Sequence, residues 1–207
     1  MSERAAGIPE IEIKLRLPSA GEGYRRLELA GFTLRRPRAL EQNTLYDDAG
    51  QSLRRRGDLV RIRRYAGQVL LTYKSRGGEQ PGNVAGSRHK HRPELETAVA
   101  DEAPLTAVLA AAGLFPVRRY EKYRTVYGRE GDPGLALVDE TPLGMFLELE
   151  GPPEWIDRTA AELGFGVGDY ITRSYLSLHQ EEMSKRGQVA ADMTFEANRE
   201  RPDETRD

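Results

Sequence analysis

The stretch Glu10-Ile11-Glu12-Ile13-Lys14-Leu15-Arg16 decides the fold. It alternates with period two. As a β-strand it puts Glu10, Glu12, Lys14 and Arg16 on one face and Ile11, Ile13, Leu15 and Leu17 on the other. The apolar row must meet a core, and the charged row must meet either water or a charged ligand. Two carboxylates one strand repeat apart can share a hard cation. A lysine two residues further on can meet an anion held by that cation. Read alone, one such strand is simply a sheet with one wet face. The same pattern, however, returns along the chain.

Working outward, Ser19 reads as the N-cap of a helix running to Ala30, with Gly31 as its stop. Thr33 to Tyr46 reads as extended structure interrupted near Pro37. Leu53 to Arg56 reads as a short basic strand or turn. Leu59 to Tyr65 and Val69 to Lys74 form a hairpin across Ala66-Gly67-Gln68, placing Arg61, Arg63 and Lys74 on alternating positions. Ser75 to Arg92 is rich in Gly, Pro, Arg and His without periodicity, and reads as a mobile loop. His89 and His91 fall there without a third ligand at zinc spacing. Arg92 to Val99 is a second strand with paired carboxylates, Glu94 and Glu96. A helix from Asp101 or Glu102 to Ala112 follows. Val117 to Tyr127 carries Lys122 and Arg124 on one face, and Leu135 to Glu140 carries Asp139. Met145 to Glu150 is the third such strand, with Phe146, Glu148 and Glu150 on one face. Pro152-Pro153-Glu154 starts a helix through Leu163. The loop Gly164 to Gly168 lacks the spacing of a dinucleotide fingerprint. A last helix spans Arg173 to Met183.

Apolar periodicity persists to about residue 180, so we expect a disordered lead-in over 1–7, one domain over 8–183 and a disordered charged tail over 184–207. The 207 residues are 38% hydrophobic and 31% charged, with net charge −2 and no cysteine. Disulfides, thiolate metal sites and a cysteine nucleophile are excluded. No global field favours nucleic acid or membrane. With no apolar signal core and no run of transmembrane length, a cytoplasmic protein is expected.

A mostly antiparallel sheet of about eight strands can close into a barrel. If the charged rows face inward, the fold is α+β: a closed eight-stranded antiparallel barrel with a charged lumen and flanking helices. Such a lumen is costly when empty. A ligand bringing divalent cations and several phosphates would neutralise it, the acids taking Mg²⁺ or Mn²⁺ and the bases taking phosphate oxygens. Ordinary half-exposed sheets would give the same spacing, and at this point both remain open.

The ordered set of motifs resembles the CYTH superfamily, the triphosphate tunnel metalloenzymes. Glu10-Ile-Glu12-Ile-Lys14 is similar to its Glu-x-Glu-x-Lys signature. Asn43-Thr-Leu-Tyr46-Asp47 is similar to its second strand, and Arg61-Ile-Arg63 to its Leu-Arg-x-Arg block, with Val60 where leucine is usual. Thr72-Tyr-Lys74, Glu94-Leu-Glu96, Lys122-Tyr-Arg124, Asp139 and Phe146-Leu-Glu148-Leu-Glu150 follow in order, so the resemblance covers roughly 8 to 180. It implies an eight-stranded tunnel and metal-dependent chemistry on a triphosphate-bearing small molecule: inorganic triphosphate, thiamine triphosphate or ATP. It implies Glu10, Glu12, Glu148 and Glu150 as metal ligands, with Asp139 and Glu96 assisting. Lys14, Arg61, Arg63, Lys74, Lys122 and Arg124 would clamp the triphosphate, with Arg173 as the family's further basic residue near the C-terminus. The catalytic set is then Glu10, Glu12, Lys14, Asp139 and Glu150. The plain structural role of each acid is to balance a neighbouring base.

Triphosphate hydrolysis is placed ahead of cyclisation of ATP to cyclic AMP and pyrophosphate, because cyclisation also needs the nucleoside positioned. A non-catalytic triphosphate or polyphosphate sensor would use the same clamp. No nucleic-acid partner is expected, since the basic loop 76–92 has no aromatic residue for stacking. A homodimer stays open.

Overall fold

The computed structural model describes residues 8–75 and 88–199. The expected lead-in over 1–7, most of the loop read over 75–92, and the tail beyond 199 lie outside the described residues. β1 (Ile8–Leu17) leads into α1 (Ala20–Leu29), where Ser19 Oγ accepts from the Glu22 backbone N–H at 3.2 Å. β2 (Thr33–Asp47), α2 (Ser52–Arg56), β3 (Leu59–Tyr65) and β4 (Gln68–Lys74) follow. Ala66 and Gly67 both have positive φ, 49° and 79°, which joins β3 to β4 by a two-residue turn whose twist matches the strands. Next come β5 (Lys90–Val99), α3 (Glu102–Ala111), β6 (Phe115–Gly128), β7 (Leu135–Thr141) and β8 (Gly144–Glu150). α4 (Pro153–Glu162), a short 3-10 turn at Val167–Asp169, α5 (Tyr175–Lys185) and α6 (Phe195–Arg199) complete the described chain.

The strands close into one antiparallel barrel in the order β1-β5-β4-β3-β2-β6-β7-β8. β1 is paired on both sides. Glu12 lies opposite Lys90 of β5 and opposite Glu150 of β8. Register is fixed by the side-chain alternation, because a slip of one residue would turn every charge of β1 outward.

The apolar core lies outside the barrel. Ile13, Leu15 and Leu17 of β1, Ala136 and Val138 of β7 and Leu147 and Leu149 of β8 pack under Leu27 of α1 and Trp155, Ile156 and Ala160 of α4. Each fully buried aliphatic side chain contributes about 1.5–3 kcal/mol. A second cluster, Tyr46, Ile62 and Leu109, sits under α3. A third, Phe146, Tyr175, Leu178 and Met193, packs α5 against one end of the lumen.

Four expectations need correction. Leu53 to Arg56 is helical, not a strand or turn: Asp47 accepts from the Leu53 and Arg54 backbone N–H groups at 3.0 Å and caps α2. β2 runs unbroken through Pro37, the missing donor being absorbed by register shifts between Leu34 and Ala39. β5 begins at Lys90 instead of Arg92. The chain does not lose order at Ser184. α5 continues to Lys185, and the strand-like segment beyond it lies along β6, with Met193 exchanging 2.9 Å backbone hydrogen bonds with Arg119 and Glu121. Met193 is 1% exposed, and that burial holds a segment whose composition reads as disordered.

Candidate active site

Every second residue of each strand faces the lumen, and the lumen is charged. β1 contributes Glu10, Glu12 and Lys14; β5 contributes Lys90, Arg92, Glu94 and Glu96; β4 contributes Lys74. β3 supplies Arg61 and Arg63, β2 supplies Glu41 and Asn43, and β6 supplies Lys122 and Arg124. Asp139 comes from β7, and Glu148 and Glu150 from β8. Acids and bases are equal in number in this set. Their pairing leaves a free volume of about 110 Å³, lined by Glu10, Glu12, Lys14, Arg61, Arg63, Lys74, Lys90, Lys122, Arg124, Glu148 and Glu150 among others.

At one place three of the acids converge. Carboxylate oxygens of Glu10, Glu12 and Glu150 lie within 4.8 Å of one another. Burial, reinforced by the neighbouring Glu148, pushes the Glu150 carboxyl well above the usual range. Burial also raises Glu10 against the pull of Lys74. Burial works on Glu12 in the same direction, but Lys14, Lys90 and Lys74 outweigh it and hold that carboxyl at about 2. Three hard oxygen donors converging at this spacing fit a magnesium- or manganese-type ion.

A wall of bases lines the same lumen. Arg124 donates to both oxygens of Asp139 at 2.7 Å, and Lys122 and the Tyr175 hydroxyl donate to the same carboxylate at 2.8 Å. Asp139 is 0% exposed and fully engaged, which makes it the anchor of the wall and removes it from the metal cluster. Glu148 lies between Lys14 at 3.4 Å and Arg124 at 3.2 Å. Burial opposes its ionisation, yet Lys14 and Arg124 hold it well below the usual range. Glu96 accepts from Arg63 at 2.7 Å and Thr72 at 2.9 Å, away from the three clustered acids. Arg61 Nε, Arg63 Nε and Glu148 Oε2 are buried with no hydrogen-bond partner among the described residues.

Of the expected metal ligands, then, Glu10, Glu12 and Glu150 come together, Glu148 adjoins them, and Asp139 and Glu96 serve bases. Of the expected clamp, Lys14, Arg61, Arg63, Lys74, Lys122 and Arg124 all line the lumen. Arg173 does not: its side chain is 56% exposed and pairs with Glu181 on α5. Sequence reasoning missed Glu41, Lys90, Arg92 and Tyr175. Glu41 is 1% exposed, accepts from Asn43 at 3.0 Å and faces Lys122, Arg124 and Arg63 at 3.6–4.0 Å. Lys90 and Arg92 precede Glu94 and Glu96 at period two, and carrying that alternation backwards finds them. Tyr175 has no such signal, because a helix brings it to the lumen.

The His89 and His91 rings lie 6.4 Å apart, centre to centre. His89 Nε2 lies 2.8 Å from Asp157 of α4, which also accepts from the Tyr170 hydroxyl at 3.1 Å. No described helix is long and apolar enough to cross a membrane.

The CYTH domain family matches residues 9–175. No curated protein matches the chain. Among solved structures, a candidate adenylate cyclase of Vibrio parahaemolyticus is similar with a TM-score of 0.69 at 16% identity, over 83% of this chain and 98% of the other. A Pyrococcus horikoshii protein has a TM-score of 0.66 at 25% identity, over 84% and 99%. A Hippeastrum candidate adenylyl cyclase with a dominant triphosphatase activity has a TM-score of 0.55 at 22% identity, over 87% and 97%.

Proposed function

The chain belongs to the CYTH domain family, and from that premise we propose that it is a divalent-metal-dependent triphosphatase acting in the cytoplasm. The observation that carries the reading is that one lumen holds both a cluster of three carboxylates, Glu10, Glu12 and Glu150, and the bases Arg61, Arg63, Lys74, Lys122 and Arg124. Glu10, Glu12 and Glu150 would hold Mg²⁺ or Mn²⁺, which when bound supplies Lewis-acid charge to phosphate oxygens and lowers the pKa of a bound water. The wall binds and straightens the phosphate chain. Lys122 and Arg124 are held by Asp139 before substrate arrives, so their charge needs little reorganisation as the leaving phosphate gains charge. Lys14, bracketed by Glu12 and Glu148, stays cationic. Burial works against that charge, but the two glutamates raise its pKa above the ordinary lysine value.

A second reading, cyclisation of ATP, draws on a different observation. A cavity of about 330 Å³ opens beside the tunnel and shares Leu59, Arg92, Ser174 and Leu176 with it. An organic group attached to the phosphates has room there. A product assay with Mg²⁺ or Mn²⁺ separates the readings, with inorganic triphosphate, thiamine triphosphate and ATP offered in turn. Orthophosphate without cyclic AMP supports hydrolysis. Cyclic AMP with stoichiometric pyrophosphate supports the second reading. Tight triphosphate binding without product leaves a sensor.

A further inference from the structure

Two of the three clustered carboxylates are in contact with lysines. Lys74 Nζ contacts Glu10 and lies 2.9 Å from Glu94. Lys90 Nζ contacts Glu12 Oε1, the same oxygen that accepts from Lys14 at 2.8 Å. Lys90, Glu12 and Glu150 are directly opposite one another across β5, β1 and β8. Lys14 is confined: it is 3% exposed, flanked by Glu148 and set 5.2 Å from the Tyr175 ring centre. Lys90 keeps 20% exposure. Its four-carbon stem is flexible, while the backbone behind it is tethered by the contact of His89 with Asp157.

We propose that Lys90 is a resident counter-cation for the metal's carboxylates: it yields Glu12 to an incoming divalent metal and passes to a phosphate oxygen of the substrate. The inference rests on the tunnel being a metal–triphosphate site. A metal arriving alone must displace this ammonium and leave it unpaired in a poorly solvated lumen. A triphosphate arriving alone must draw Lys90 away and leave Glu12 short of a partner. Either half-step leaves a buried charge with fewer partners than it had. Together they satisfy both groups, so each ligand tightens the other, and by linkage the coupling is reciprocal.

The test uses the full chain and two binding measurements without turnover. Mn²⁺ alone is titrated by the electron paramagnetic resonance signal of the free ion. Inorganic triphosphate is titrated by calorimetry in EDTA. Lys90→Gln is expected to bind Mn²⁺ about tenfold tighter and triphosphate about tenfold weaker, the usual scale of coupling between sites. Lys90→Arg, which keeps the charge, is expected to hold both affinities near those of the unsubstituted chain. Should Lys90→Gln lose its melting transition, Lys90→Met keeps the stem and gives the same two readings. A fall in both affinities, or no change in Mn²⁺ affinity, overturns the proposal. An unsubstituted chain that binds neither probe overturns the tunnel reading itself, and this inference with it.

Discussion

Glu12 is the residue on which the lumen turns: it faces Lys14 and Lys90 among the bases and Glu10 and Glu150 among the acids. Replacing it with Gln should lower metal-dependent turnover by about 10²–10³, the scale of losing one preorganised charge contact, with the melting transition retained. Full activity in Glu12→Gln would remove its assigned role. Glu41 makes a separate prediction. Burial opposes its charge, but Lys122, Arg124 and Arg63 win and hold it at about 2 against an ordinary 4.5. A depressed folded-state pKa means stability that is full above about 4.5 and is lost as pH falls toward 2. Urea midpoints measured across that window should fall with pH, and Glu41→Gln should be less stable at neutral pH with a flatter acid limb. Glu10, Glu12 and Glu150 were legible because apolar residues alternate with them. Glu41 was hidden by Pro37, and Lys90 by the Gly- and Pro-rich run before it. Asp139 was legible as an inward acid, but its role was not. That role depends on Arg124, Lys122 and Tyr175 arriving from β6 and α5.

Among the elements, α5 and the segment after it set the shape of the site. Lys14 exchanges backbone hydrogen bonds of 2.9 Å with Ile171 just before α5, and Met193 bonds to β6 after it. The helix is therefore fastened at both ends across one end of the barrel, with Tyr175 turned inward to Asp139. Met193→Ala should cost about 2–4 kcal/mol in chemical denaturation; an unchanged midpoint would mean that the fastening carries no stability. The turn before β7 is as tightly fixed. A Cβ at Gly134 would meet the Trp155 ring at 2.3 Å, so Gly134→Ala should destabilise by more than the about 1–3 kcal/mol of ordinary overpacking. Strand content was readable because period-two alternation is local. α2 was not, because five residues hold no helical period and the capping carboxylate of Asp47 sits at the end of β2. The folded tail was not readable because one buried methionine in a polar run leaves no pattern.

For the whole molecule, the charged interior makes stability a property of the ligand as well as of the chain. Triphosphate with Mg²⁺, each in excess, should raise the melting temperature, since a ligand at 100 times its Kd adds about 2.7 kcal/mol. EDTA should remove most of that gain, and Mg²⁺ alone should give little. An equal shift with and without metal would contradict a metal role for Glu10, Glu12 and Glu150. Closure of the barrel has one further consequence, which concerns synthesis. β1 leaves the ribosome before the other seven strands, yet Glu148 and Glu150, the β8 residues beside it, are made only after β2 to β7 have followed. At about 5–20 residues per second, the nascent strand waits on the order of ten seconds for its β8 partner. During translation, then, the stretch that organises the finished molecule is the strand that waits longest for its second sheet neighbour.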